Sequence, residues 1–239
     1  WRRAAGVPDS IEPPMGDPGG GSDFAGFYNH LGVPISEWGF GGAGGVYHSA
    51  YDSRHWMETF GDPGYRYHAT AARIGAAMVL RLANADILPY DYTEFARTMR
   101  GYIPAVDRAI AAKHWEFSSA SLAAAIDGLG RSAASFTVAR DSALSRTLAR
   151  DTRSAANAAL LRVERSLTRP DGLRTRPWYR NLIYAADENN GYANIVFPSV
   201  NEAIRAGDAS LAQRELDDLA RRFDAAAAAL DDATRALKR

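Results

Sequence analysis

Apolar positions in the second half of the chain recur every three or four residues. Leu122, Ile126, Leu129, Ala133 and Phe136 form one row, and Ala156, Leu160, Val163 and Leu167 form a second. Leu216, Leu219, Phe223, Ala226, Leu230, Ala233 and Leu237 form a third, which runs almost to the C-terminus. Such spacing places each row on one face of an α-helix, and several such faces bury one another in an antiparallel bundle. The rows are rich in alanine, which favours the helical backbone and allows close approach of helix axes. Between the second and third rows lies a long aromatic connection, "TRPDGLRTRPWYRNLIYAADENNGYANIVFPSV". Connections of that length in a compact domain are usually functional or interfacial.

The first half is patterned differently. Residues 1–21 are rich in proline and glycine and predict an irregular, extended lead-in. "SDFAGFYNHLG" predicts a short helix capped by Ser22 or Asp23, with Phe24, Phe27 and Leu31 sharing a face and Gly32 closing it. "VPISEWGFG" has β-type residues and predicts a strand. A glycine-rich loop, "GFGGAGG", then leads into "VYHSAYDS". Asp52 or Ser53 is placed to cap a helix through Met57 and Phe60, "GDP" breaks it, and a long helix is expected from about Gly64 to Ala85. Helix, strand, glycine loop and covering helices in that order fit the end of an α/β domain. The fold class expected is mainly α with a small α/β part, residues 1–86 being the end of an α/β domain and residues 87–239 a helical bundle.

Composition narrows the functional classes. The 239 residues are 46% hydrophobic, enough for a sizeable core. Lys and Arg balance Asp and Glu at 28 each, so no electrostatic case exists for nucleic acid or an anionic membrane surface. No run of about 18 apolar residues is present, which argues against a membrane span. The chain starts on Trp1 with no apolar leader, which suggests a piece of a longer polypeptide. Cysteine is absent, so neither disulfides nor thiolate metal sites are available.

Candidate chemistry centres on one histidine. His30, His55, His68 and His114 fall in helix-patterned stretches and read as structural. His48 instead follows the glycine-rich loop after the strand-like run, where α/β enzymes present site residues. No HExxH, GxSxG or phosphate-loop spacing accompanies it, and Asp52 is its only close carboxylate in sequence. The pairs Asp217–Asp218 and Asp231–Asp232 read as solvated helix faces. From the residues alone, His48 is either a loop histidine or a site residue.

Taken together, five stretches resemble the C-terminal third of the zinc peptidases of the glutamate carboxypeptidase and transferrin receptor family. They are "GGGSDFAGFYNHLGVP", "VYHSAYDSRHWMETFGDPGYRYH", "LRLANADILPYDYTEFA", "RPDGLRTRPWYRNLIYA" and "GYANIVFPSVNEAI". The resemblance implies that residues 1–86 end a co-catalytic zinc peptidase domain and that 87–239 form the family's helical dimerisation domain. It implies that His48 is a zinc ligand, that Tyr47 lies beside the reacting carbonyl, and that Tyr192 contacts the substrate's terminal carboxylate. Gly21 and Ser22 stand at substrate-binding positions, Ser22 where glutamate-specific members have asparagine. Two zinc ions, a peptide substrate, a homodimer and a periplasmic or secreted location follow from the same resemblance. The remaining zinc ligands and the general base lie upstream in the family, so this stretch alone is expected to be inactive, with an exposed apolar face.

Two departures bear on specificity. The glutamate-specific members place arginines after the "LGI" segment, where this chain has "PISEWGFGG" with Glu37; their lysine before the carboxylate-binding tyrosine is Gly191 here. A carboxylate in such a pocket repels acidic side chains, so a neutral or basic preference is expected. The competing expectation is a non-enzymatic, receptor-like dimerisation module built on the same scaffold.

Overall fold

The computed structural model describes residues 16–18, 20–40 and 45–239. The lead-in expected before Gly16 and the glycine loop at 41–44 lie outside the described residues. Seven α-helices and two short strands occur among those described. They are α1 (Arg54–Trp56), α2 (Arg66–Asn84), α3 (Tyr92–Ala111), α4 (Ala120–Leu144), α5 (Arg150–Ser166), β1 (Tyr184–Ala186), β2 (Asn194–Val196), α6 (Pro198–Ala206) and α7 (Ala209–Leu237). Two single π-helical turns, Gly26–His30 and Met57–Gly61, complete the order.

Every residue of the three apolar rows is buried. The longest helix, α7, packs against α4, α5 and α6, while α3 lies on α4. Phe223 of α7 has no exposed surface and meets Phe95 of α3 and Phe197, at the start of α6, at ring-centroid distances of 6.4 Å each. Helix starts follow the side chains available to satisfy their free N–H groups. The Asp91 carboxylate accepts from the N–H groups of Thr93 and Glu94, and that of Asp208 from Leu211. Ser53 accepts from the Trp56 N–H, as its position in the sequence predicts. Pro104 sits inside α3 on its exposed side, so the backbone bond it cannot make faces water rather than the core.

The long connection is held to the bundle by arginines. Arg169 pairs with Glu215 at 2.7 Å and with Asp218 at 3.3 Å, both on α7. Arg176 pairs with Glu202 on α6, donates to the Ala186 carbonyl at 2.6 Å, and lies over the Tyr179 ring. Within the connection, β1 and β2 form an antiparallel hairpin with Tyr184 opposite Val196, Ala185 opposite Ile195 and Ala186 opposite Asn194.

Several local expectations are corrected. The stretch 33–40 forms no strand: its β-type residues have no neighbouring strand to supply the ladder bonds, and Trp38 instead packs on Gly75 and donates to the Ala71 carbonyl of α2. In the first turn, the buried residues are Tyr28 and Asn29, whereas Phe27 and Leu31 are exposed. The wider i→i+5 turn changes which side chains share a face. Neither Ser22 nor Asp23 caps it by a side chain; Ala25 precedes the turn, and the Ser22 carbonyl accepts from the Ala25 N–H. Asp218 and Asp232 are not simply solvated, since Asp218 joins Arg169 and Arg222 and Asp232 joins Arg162. Helix α2 buries no residue, and Ile74, Val79 and Leu80 are exposed on it.

The Phe223 contacts give a direct test of the core. Phe223→Ala removes a fully buried ring from the junction of α3, α6 and α7, and an unfolding free energy lower by about 3–5 kcal/mol is expected in urea titration.

Candidate functional site

The segment carrying Tyr47 and His48 is built from two successive turns. The Ser49 N–H and hydroxyl both donate to the Val46 carbonyl, at 2.9 and 2.7 Å, and the Asp52 N–H donates to the Ser49 carbonyl at 3.1 Å. In the first turn His48 takes a left-handed backbone, φ 59°. That conformation costs a non-glycine residue roughly 1–2 kcal/mol, and residues held in it cluster at functional sites. It turns the imidazole back onto the preceding phenol, and the two rings stack with centroids 3.8 Å apart. Tyr47 and His48 are both exposed, Tyr47 to 67%.

Tyr192 reaches this turn from the helical part of the chain. It is 63% exposed, and its phenol is the main cause that raises the pKa of the Tyr47 hydroxyl above the ordinary tyrosine value, with smaller contributions from desolvation and Asp52. The loop beneath Tyr192 is a compact turn. Asp187 accepts from the Asn189 and Asn190 N–H groups at 2.8 and 3.3 Å, and the Asn190 side chain accepts from the Tyr192 N–H at 3.1 Å.

Glycine lets the lead-in lie directly against this loop. The Gly20 N–H donates to the Tyr192 carbonyl at 3.0 Å. A Cβ at Gly20 would stand 2.2 Å from the Ala193 carbonyl oxygen, and one at Gly21 would stand 2.9 Å from that of Gly191 and 3.2 Å from the Tyr192 ring. Side chains are excluded there by contact distance alone. Asn194 donates to the Pro18 carbonyl at 2.8 Å, and Asp17 accepts from the hydroxyls of Tyr102 and Tyr184. Of the five site residues expected from sequence, Tyr47 stacks on His48 and Gly21 lies against the Tyr192 loop. Ser22 follows Gly21 directly and is partly exposed. Sequence reading missed Gly20 and the Asp187–Asn190 turn; the run "DENN" ahead of Gly191 carried that signal, because Asp and Asn close turns through their own side chains.

As a donor, His48 suits a metal, being an exposed imidazole oriented by a stacked neighbour. The described residues contain no group of three His, Cys, Asp or Glu side chains placed to hold an ion.

Residues 117–231 match the model of the transferrin receptor-like dimerisation domain. A probable glutamate carboxypeptidase of Arabidopsis thaliana is 35% identical across 78% of this chain and 26% of its own length. The chain belongs to the transferrin receptor-like peptidase family. An aminopeptidase of Mus musculus is 28% identical over 42% of the chain and 14% of its own length. An inactive zinc metalloprotease of Schizosaccharomyces pombe is 30% identical over 74% of the chain and 23% of its own length. The chain thus spans about a quarter of the length of the curated relatives it matches over most of its own length. Family membership accounts for the mainly helical architecture, and no described helix is long and apolar enough to cross a membrane.

The other histidines have local partners or positions. The His30 ring stacks on Trp178 and shares a hydrogen bond with its carbonyl at 2.8 Å, and His114 takes a left-handed backbone just after α3. His68 pairs with Asp62, whose carboxylate is nearly covered and stands at the start of α2. Burial opposes its charge, but the His68 ring and the N–H groups of His68 and Tyr67 hold its pKa at about 2. Because the folded value is depressed, the stabilisation is present above the ordinary carboxylate value and is lost as pH falls towards 2. The protection of amides in the first turn of α2, relative to their intrinsic exchange at each pH, is expected to fall over pH 4 to 2, and Asp62→Asn is expected to lower it at neutral pH already. Equal exchange in both proteins at pH 7 would exclude this anchor.

Proposed function

We propose that this chain forms the C-terminal part of a co-catalytic zinc exopeptidase. On this reading residues 1–86 end the peptidase domain, and residues 87–239 are the helical domain through which two copies pair. The observation that carries it is the exposed, stacked Tyr47–His48 pair on its left-handed turn, and the lead-in packed against the Tyr192 loop at Gly20 and Gly21 supports it. The names of the Arabidopsis and mouse relatives, a carboxypeptidase and an aminopeptidase, support exopeptidase chemistry.

Each residue has a separate role. His48 is one ligand of a two-zinc centre whose other ligands come from outside these residues. Such a centre, when bound, supplies an activated water and polarises the scissile carbonyl. Tyr47 donates its hydroxyl proton in a hydrogen bond to the oxygen that gains charge as the carbonyl becomes tetrahedral. A phenol is protonated at neutral pH and so is a hydrogen-bond donor. Tyr192 donates to the substrate's terminal carboxylate, while Gly21 and Ser22 line the approach and leave room for the substrate backbone. Glu37 is exposed in the 33–40 stretch, which has no arginine, so neutral or basic side chains are preferred over acidic ones. Work outside the cytoplasm, in a periplasmic or secreted setting, completes the proposal.

The second reading is a dimerisation module without chemistry, and the Schizosaccharomyces pombe relative, named as inactive, favours it. Hydrolysis of a dipeptide panel by the full-length, zinc-loaded protein separates the two. His48→Ala is expected to lower kcat/KM by at least about a thousandfold, and Tyr47→Phe to lower kcat by about 10²–10³ with little change in KM. Undiminished hydrolysis by the His48 variant contradicts the ligand assignment, and no hydrolysis by the parent on any peptide favours the module.

A further inference from the structure

Tyr192 stands on a loop with few contacts of its own, and one carboxylate organises that loop. Asp187 is the first residue after β1, and its N–H donates to the Ala193 carbonyl at 2.9 Å, closing the hairpin end. One of its oxygens, Oδ1, accepts from the Asn189 and Asn190 N–H groups. The other, Oδ2, pairs with Arg205 at 2.7 Å, and Arg205 lies in the last turn of α6. Asn190 then passes the order forward: its side chain accepts from the Tyr192 N–H and its carbonyl from the Ala193 N–H at 3.1 Å. Helix α6, the carboxylate, the turn and Tyr192 thus form one continuous chain of polar contacts.

The two faces of this carboxylate do different work. Backbone N–H groups directed at one oxygen fix the turn's dihedral angles, whereas the arginine fixes where the turn sits relative to α6. The backbone bonds from Asn189, followed by Arg205, hold the Asp187 pKa below the ordinary carboxylate range, so it carries its charge at neutral pH. Its side chain is 13% exposed, against 47% for Arg205, so the carboxylate is the sheltered partner. Gly191, beside Tyr192, is exposed and adds no side chain that would hold the loop.

We propose that Asp187, anchored by Arg205, is a positioning residue that fixes the loop carrying Tyr192 relative to α6. The role rests on the reading of Tyr192 as a substrate contact, and the experiment below separates the failure of one from the failure of the other. Asp187→Ala removes both sets of bonds. Asp187→Asn keeps an oxygen for the turn and loses the ion pair. Arg205→Ala leaves the turn intact and frees it from α6.

The test measures amide exchange of Asn189, Asn190 and Tyr192 in the full-length protein, together with KM and kcat for its peptide substrates. Exchange is expected to rise about tenfold or more in Asp187→Ala and about two- to threefold in Asp187→Asn and Arg205→Ala, with the bundle amides unchanged. KM is expected to rise at least about fivefold in Asp187→Ala while kcat stays within about twofold, because substrate positioning is lost and the reacting groups are untouched. Unchanged exchange at these three amides overturns the positioning role, whatever happens to activity. Faster exchange with unchanged KM leaves Asp187 as the loop's anchor and instead overturns Tyr192 as a substrate contact, and with it the catalytic half of the proposal.

Discussion

Asn29 is the residue on which the arrangement of the site depends. It is only 2% exposed, and its side chain and its carbonyl both bond to the long connection. Its side chain donates to the Tyr184 carbonyl at 2.8 Å, while its own carbonyl accepts from the N–H groups of Arg180 and Asn181 at 2.7 and 2.9 Å. Asn181 is fully buried beside it and accepts from the Ile183 and Tyr184 N–H groups. A buried amide with its bonds satisfied locks one geometry, because any displaced arrangement leaves polar groups unpaired away from water. The segment 24–32 is therefore registered against β1, and through β1 against the hairpin that carries Tyr192.

The consequences run outward from that lock. With Tyr28 and Asn29 fixed, Asp17 reaches the Tyr102–Tyr184 hydroxyl pair, and Gly20 reaches the back of the Tyr192 loop. The helical bundle supplies the rigid support, since α7 buries its whole apolar row and holds Arg169 through Glu215 and Asp218. Rigid packing behind and a polar turn in front is a sound way to place a side chain that must be exposed yet aimed. Tyr192 is such a side chain, and Tyr47 with His48 is the surface it meets.

The bundle was legible because its information is periodic: each apolar row named its own buried face, and each row is buried as read. The non-periodic parts were less so. The stretch 33–40 looked like a strand because β-type residues mark half-buried, pleated surfaces, yet a strand needs a neighbour, and Trp38 found α2 instead. Tyr28 and Asn29 were hidden by the π-helical turn, whose period differs from the one used to read Phe24, Phe27 and Leu31. The arginines of the long connection form ion pairs with residues some 25 to 50 positions away, a separation that local pattern does not encode. For the site, Gly21, Tyr47, His48 and Tyr192 were named by family resemblance, not by any local constellation. The structure adds their approach to one another, with Gly20 and the Asp187 turn as the means.

Tyr47 and Tyr192, 145 positions apart in the chain, are proposed to act on one bound substrate. A double-mutant cycle in kcat/KM on the full-length, zinc-loaded protein, with Tyr47→Phe, Tyr192→Phe and both together, tests this most directly. Two residues in contact at one site lose less together than the product of their separate losses, by about fivefold or more. That coupling is the expected result. Strictly multiplicative losses would mean that the two phenols act independently, and would contradict a shared site.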